Sequence, residues 1–229
     1  MAKSTANTSA EGRLLGMYIG EFPEQPKQKA KTSPVELSFS DIPEIKEAAT
    51  KIFNQWTPLA KLNEHPQVLD FNNGLNQYKL VFVGTHGVSD STILPEEYFF
   101  TFSNQSNNRI QVRDIYALAG TRVRTQLLFL ASCLTAYGGP VILGEGLPSI
   151  SRAFHYAGIP TLITTAIKIP PEPTARISEL FFEQIKQGNV SVAEALQKAK
   201  LAYLKQNGGR LHPFFWAPLI CLGYGNLKP

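Results

Sequence analysis

The sequence predicts an α/β fold built on a central, mostly parallel sheet flanked by helices, and three observations predict it. The first is a pair of apolar runs, Leu80-Val81-Phe82-Val83-Gly84 and Leu127-Leu128-Phe129-Leu130-Ala131. Each lines up large apolar side chains without alternation, as strands buried on both faces do. The second is the succession of periodicities, strand-like runs alternating with helical ones in the β-α-β order that parallel pairing requires. The third is length: 229 residues suit one large domain, which buries roughly 70 to 75% of its unfolded surface.

Along the chain, residues 1–12 are polar and are expected to form a disordered tail, with residues 13–229 as a single domain. Leu14 to Ile19 reads as the first strand and Pro23 to Pro34 as a loop. Asp41 followed by Glu44 makes a capping-box start for a helix with Ile42, Ile45, Ala48, Ala49, Ile52, Phe53 and Trp56 on one face. After the strand ending near His86, Tyr98 to Phe102 reads as an excursion strand and Val112 to Ala119 as a crossover helix into the strand ending near Cys133. Ile150, Ala153, Phe154 and Ala157 form a helical stripe that Gly158 stops, and Pro160 to Thr165 is a strand. Glu172 to Lys186 is a helix with Ile177, Leu180, Phe181 and Ile185 inward. Ser191 and Glu194 open another, burying Val192, Ala195, Leu196, Ala199 and Tyr203, and Trp216 to Leu222 closes the chain as a strand. There is no internal repeat and no interdomain linker.

Composition narrows the function. With 43% hydrophobic and 17% charged residues the chain is an ordinary globule. Its net charge of +4 is spread thinly, and the basic groups Lys27/Lys29/Lys31 and Arg122/Arg124 carry no interleaved aromatics, which argues against nucleic acid as a partner. Only two cysteines, Cys133 and Cys221, occur, which excludes a disulfide scaffold and a multi-cysteine zinc site and points to a reducing compartment. No apolar run approaches the roughly 18 residues of a membrane span, and residues 1–9 lack a signal-peptide core. A cytoplasmic protein without membrane contact is expected. Gly144-Glu145-Gly146-Leu147-Pro148 lacks the third glycine of a dinucleotide fingerprint, and neither a P-loop nor Gly-x-Ser-x-Gly occurs, so no cofactor is expected.

The informative residues are His86, in Thr85-His86-Gly87, and Cys133, in Ala131-Ser132-Cys133-Leu134. Each follows a strand at its carboxyl end, where open α/β sheets bind ligands. Thiolate, not thiol, attacks, and an imidazole with pKa near about 6.5 takes the thiol proton or holds one for a departing amine. Taken singly, a cysteine or histidine at a strand end is commonly structural; the pair is what points to a nucleophile and its base. Small Ala131, Ser132, Thr135 and Ala136 leave room round the sulfur, and Gly87 allows close approach of a substrate to the backbone. Asp90 and Glu172 are candidates for an acidic substrate-binding pocket, against the ordinary reading of solvated carboxylates. Cys221 reads as core, His65 and His155 as surface, and His212 has no assigned chemistry.

Further blocks extend the pattern: Gly144-Glu145-Gly146-Leu147, Ser151-Arg152-Ala153-Phe154 with Ala157-Gly158, and His212-Pro213-Phe214-Phe215-Trp216-Ala217-Pro218-Leu219. In this order, over about residues 14 to 225, they resemble the CHAT domain, a caspase-like cysteine peptidase module related to separase. The 47-residue spacing of His86 and Cys133 is near the roughly 50 of caspases. The resemblance implies a caspase-like sandwich, catalytic His86 and Cys133, and an oxyanion hole formed by the N–H groups of Gly87 and Cys133. The chain departs from the family pattern at Leu134, where relatives carry Glu, and at Ala166-Ile167-Lys168-Ile169-Pro170-Pro171, where they carry Leu-Trp-x-Val-x-Asp; Glu172 is the candidate stand-in for that acid.

The expected activity is that of a cysteine endopeptidase cutting a specific protein substrate, under control of a regulatory protein or sensor domain. The alternative is a catalytically silent caspase-fold scaffold that binds a protein partner. An acyltransferase or esterase using the same pair ranks behind both, since nothing suggests an acyl-carrier site. The loops at Pro23 to Pro34, Ser103 to Arg109 and Ile167 to Pro173 are the segments expected to rearrange round the cysteine.

Overall fold

The computed structural model describes residues 14–18, 41–57, 60–88, 98–103, 105–132 and 150–229. In chain order the elements are β1 (Leu14–Tyr18), α1 (Pro43–Trp56), β2 (Ala60–Asn63), α2 (Val68–Gln77), β3 (Leu80–Gly84), β4 (His86–Val88), β5 (Phe99–Thr101), β6 (Arg109–Gln111), α3 (Val112–Tyr116), β7 (Leu127–Ala131), α4 (Ile150–Tyr156), β8 (Thr161–Thr165), α5 (Pro171–Gln187), α6 (Val192–Gln206) and β9 (Leu219–Gly223). Six strands join in the order β2-β1-β3-β7-β8-β9, all parallel except β9, which runs antiparallel to β8. A second sheet, β4-β5-β6, is antiparallel.

Every residue of β1, β3, β7 and β8 is buried, which explains the unbroken apolar runs: helices cover both faces. Alternate side chains divide between two cores. Leu80, Phe82, Leu127 and Phe129 pack toward α1, α5 and α6, where the Phe82 and Phe129 rings lie 5.6 Å apart and Phe129 meets Phe182 at the same distance. Val81, Val83, Leu128 and Leu130 pack toward α2, α3, α4 and the small sheet, with Phe71 edge-on to Phe100 at 5.4 Å. Deletion of one such buried ring costs about 3 to 5 kcal/mol.

Several boundaries differ from the sequence reading. Helix α1 begins at Pro43 with Ile42 as its N-cap and no side-chain cap bond. Proline, with φ already helical and no N–H to satisfy, takes the first helical position and displaces the Asp41 capping box. The crossover helix α3 ends at Tyr116. The last strand begins at Leu219, because Pro213–Phe215 form a 3-10 turn first. In α6 the Ser191 hydroxyl accepts from the Glu194 N–H at 3.3 Å, while the Glu194 carboxylate pairs with Lys198 at 2.8 Å. Strands β2, β4 and β6 and helix α2 were not legible. Gly74 in α2 weakens the helical pattern, yet a Cβ there would stand 2.2 Å from Leu15 Cδ2, so the close packing of α2 on β1 requires it.

The segment Ser103 to Arg109 is not a free loop. Residues Ser106–Asn108 form a 3-10 turn and Arg109 opens β6. Asn108, 3% exposed, donates from Nδ2 to the Pro66 carbonyl at 3.2 Å and accepts at Oδ1 from the Val68 N–H at 3.1 Å, tying this turn to the start of α2. The segment from Ile167 onward runs into α5, whose N-cap is Pro170. The expected N-terminal tail and the loop at Pro23 to Pro34 lie outside the described residues.

Candidate active site

Thr85 is the residue at which the chain leaves one sheet for the other. Its backbone N–H donates to the Ala131 carbonyl at 3.2 Å, continuing the β3–β7 ladder, while its hydroxyl donates to the Thr101 carbonyl on β5. Two sheets therefore grip one buried threonine. The next residue, His86, opens β4 opposite Thr101, with Gly87 opposite Phe100. His86 thus stands at the carboxyl end of β3, where a parallel sheet presents side chains to a ligand.

On the neighbouring strand, Ala131 pairs with Gly84. Ser132 follows, buried, with its carbonyl accepting from the Thr165 hydroxyl at 2.6 Å. Cys133 and Asp90 lie outside the described residues. Gly84 and Ala131 are 47 residues apart, the spacing that also separates His86 from Cys133.

Beside His86 lies a cavity of about 270 Å3. Its floor is the carboxyl ends of β3, β7 and β8, through Thr85, Ala131, Ser132 and Thr165; its walls are the start of α1, at Ile42 and Ile45, and the segment entering α5, at Lys168, Ile169, Pro171 and Thr174. Gly84 lets α1 come this close: a Cβ on it would stand 2.2 Å from Ile45 Cγ2. A larger, open hollow of about 810 Å3, lined by Arg152, His155 and Tyr224 among others, lies at the opposite end of β8, away from the strand termini that carry His86.

The other residues singled out from sequence separate clearly. Glu172 is exposed in the first turn of α5, and its carboxylate accepts from the Tyr203 hydroxyl at 3.0 Å; it does not line the cavity, though its neighbour Pro171 does. Cys221 is half-buried against the core, and burial pushes its thiol up. His65 is exposed. His155 is not a plain surface residue: it is partly buried, with Nδ1 at 2.9 Å from the Ile159 carbonyl where α4 ends. His212 accepts at Nδ1 from the Phe214 N–H at 3.2 Å, capping the 3-10 turn. Sequence reasoning missed the parts of Lys168, Thr165 and Ile42. The one signal for Lys168 was its place in the segment that departs from the family pattern. Among the described residues no group of three or more His, Cys, Asp or Glu side chains is placed to hold a metal ion, and no helix is long and apolar enough to cross a membrane.

A family model described as the CHAT domain matches residues 7–224. No curated protein matches the chain. Among solved structures, the chain is similar to the Arg-specific cysteine proteinase gingipain R, with a TM-score of 0.56 and 12% identity over 95% of this chain and 47% of that one. It is similar to Saccharomyces cerevisiae separase in its complex with securin, with a TM-score of 0.56 and 15% identity over 93% of this chain and 12% of that one. The complex of Porphyromonas gingivalis RgpB pro- and mature domains gives 0.51 and 13% over 96% of this chain and 48% of that one. The chain thus spans about half of the gingipain and about an eighth of the separase. At these identities the likeness is one of fold, a mostly parallel sheet flanked by helices as in caspase-like cysteine peptidases.

Proposed function

The chain belongs to the CHAT domain family, and from that premise we propose that it is a cysteine endopeptidase with Cys133 as nucleophile and His86 as base. Cys133 Sγ, its proton passed to His86, attacks the scissile carbonyl carbon. The resulting oxyanion accepts from the N–H groups of Gly87 and Cys133, and each such donor is worth about 10² to 10³ in rate. Collapse breaks the C–N bond, the amine leaves with the proton held by His86, and water, deprotonated by the same imidazole, releases the acid and regenerates the thiol. The observation that carries this reading is Thr85, which binds the last residue of β7 through its backbone and β5 through its side chain and so fixes His86 at the mouth of the sheet. The ladder spacing of Gly84 and Ala131 supports the pairing of His86 with Cys133.

The test is cleavage of a proteome-derived peptide library by the wild type, Cys133→Ala, His86→Ala and the double variant. Both single variants lose all turnover, the double variant matches them, and melting temperatures stay within a few degrees, because residues acting as one unit are not additive. Cleavage retained by Cys133→Ala overturns the mechanism. A silent scaffold is the second reading, favoured by the segment Ala166 to Pro171, where Ile167 is 43% exposed. A scaffold does not react selectively at Cys133 with a peptidyl electrophile.

The activity is held in check until a regulatory protein, a sensor domain or a second copy engages the chain. Turnover then rises with protein concentration or on addition of the partner. Full, concentration-independent activity of the purified monomer refutes this part of the reading.

A further inference from the structure

Resting on the peptidase reading, we propose that Lys200 and Tyr203 of α6 are positioning residues for substrate: between them they hold both ends of the segment Ala166 to Glu172, whose Lys168, Ile169 and Pro171 wall the cavity beside His86. The two stand three positions apart, on one face of the helix. Neither lines the cavity, so each acts through the part of the chain it grips.

The Ala166 end is held through the block His212 to Leu219. Leu219 pairs with Thr165 at the carboxyl end of β8, and one residue further on the Ala166 N–H donates to the Pro218 carbonyl at 2.9 Å. Beyond that bond the chain has no regular structure until α5 begins at Pro171, so Pro218 is where the wall is fastened. The residues before Pro218 are held in turn. The Ala217 N–H donates to the Pro213 carbonyl at 2.8 Å, and Trp216 Nε1 donates to the Leu211 carbonyl at 3.3 Å. The Lys200 ammonium, 6.0 Å from the centre of the Trp216 ring, donates to the Ala217 carbonyl at 3.3 Å. A side chain of α6 thereby reaches the wall through Ala217, Pro218 and Ala166.

At the other end the Tyr203 hydroxyl donates to the Glu172 carboxylate at 3.0 Å, one residue past Pro171. Between the two ends only Ile169 is buried in the core, while Ile167 and Lys168 are exposed. A segment with so few buried contacts is as stiff as its fastenings. Packing alone does not call for an ammonium at position 200. Lys200 is half-buried, pairs with no carboxylate among the described residues, and burial pushes its ammonium down. A methionine of similar reach avoids that cost. What the charge adds is direction, since an ammonium donates to a carbonyl and rests against an indole face where an apolar side chain only fills space.

The test separates the wall from the thiol. Labelling of Cys133 in the full, folded chain is followed by mass spectrometry with two kinds of electrophile. Iodoacetamide is too small to need the wall; a library of peptidyl acyloxymethyl ketones must seat against it before reacting. Lys200→Met and Tyr203→Phe should each raise the half-saturating concentration of the best peptidyl reagent about three- to tenfold. The limiting rate at saturation and the iodoacetamide rate should stay as in wild type. Lys200→Arg, which keeps the charge, the donor and the ring contact, should restore wild-type saturation, and Lys198→Met, which removes a charge from the exposed face of the same helix, should change nothing. Hydrogen exchange at the Ala166 amide should be faster in Lys200→Met than in Lys198→Met. Unmoved saturation, an equal fall in the iodoacetamide rate, failure of Lys200→Arg to rescue, or unchanged exchange at Ala166 each overturns the proposal and leaves the peptidase reading standing. A wild-type Cys133 that reacts with iodoacetamide alone shows that the wall receives no peptide and overturns the proposal too. A Cys133 that takes neither reagent removes the peptidase reading; the hold of α6 on the wall is then judged by Ala166 exchange alone, faster in Lys200→Met keeping it and unchanged removing it.

Discussion

The hydroxyl of Tyr203, near the end of α6, donates to the carboxylate of Glu172 in the first turn of α5 at 3.0 Å. Burial first, and then the neighbouring Glu172, push the Tyr203 phenol up to about 12, so it remains a donor at any ordinary pH. The bond fixes the start of the helix whose Pro171 and Thr174 wall the cavity. A side chain remote from His86 thereby sets one boundary of the site.

Replacing this donor gives a pH-dependent loss. Tyr203→Phe is expected to cost about 1.5 to 3 kcal/mol, as for a hydrogen bond to a charged acceptor. Because the folded-state pKa, about 12, lies above the ordinary 10, the stability it contributes is fully present below about pH 10 and is lost as pH rises toward 12. Urea titrations of wild type and variant should therefore differ by a constant amount up to about pH 10 and converge beyond it. A gap that persists to pH 12, or no gap at all, refutes the assignment.

The two cysteines should separate by reactivity. Burial raises the Cys221 thiol and packs it against the core, whereas an activated Cys133 reacts as a thiolate. Limiting iodoacetamide near neutral pH should modify Cys133 well before Cys221, and His86→Ala should slow that reaction. Equal labelling of both counts against the site.

The legible parts of this molecule were those fixed by burial on both faces. Leu80–Gly84 and Leu127–Ala131 are apolar throughout because helices cover both sides, so the sequence alone marked the strands and the residues after them. The apolar stripes of α1, α5 and α6 were read correctly for the same reason. What escaped is short or rests on distant contacts. β4 and β6 have three residues each, too few for a period to emerge, and the hydrogen bonds of Thr85 and Thr165 join residues 16 and 33 positions away. The cavity is assembled from segments as far apart as Ile42 and Thr174, so only the folded chain reveals that it lacks a carboxylate among the described residues.

Gly84→Ala tests the closeness of α1 to the site. The added methyl would meet Ile45 Cγ2 at 2.2 Å, an overpacking expected to cost about 1 to 3 kcal/mol. Ile45→Ala removes the obstructing atom, so Gly84→Ala should cost clearly less in that background, a coupling readable in a double-mutant cycle. Strict additivity of the two changes would show that α1 does not pack on Gly84 as described.

Thr165→Val tests whether β8 positions the backbone that leads to Cys133. The Thr165 hydroxyl donates to the Ser132 carbonyl at 2.6 Å, and both residues are 2% exposed. Valine keeps the shape and removes the donor, leaving a buried carbonyl short of its partner at a cost of about 1 to 3 kcal/mol. The control lies at the other end of the same strand, where the Thr161 hydroxyl donates to the Tyr224 carbonyl at 3.0 Å. Thr161→Val removes a comparable bond far from the site. Both variants should lose stability, but only Thr165→Val should slow modification of Cys133 by iodoacetamide under conditions where each chain is fully folded. Equal slowing by both, or by neither, would mean that the Ser132 carbonyl is held for stability alone.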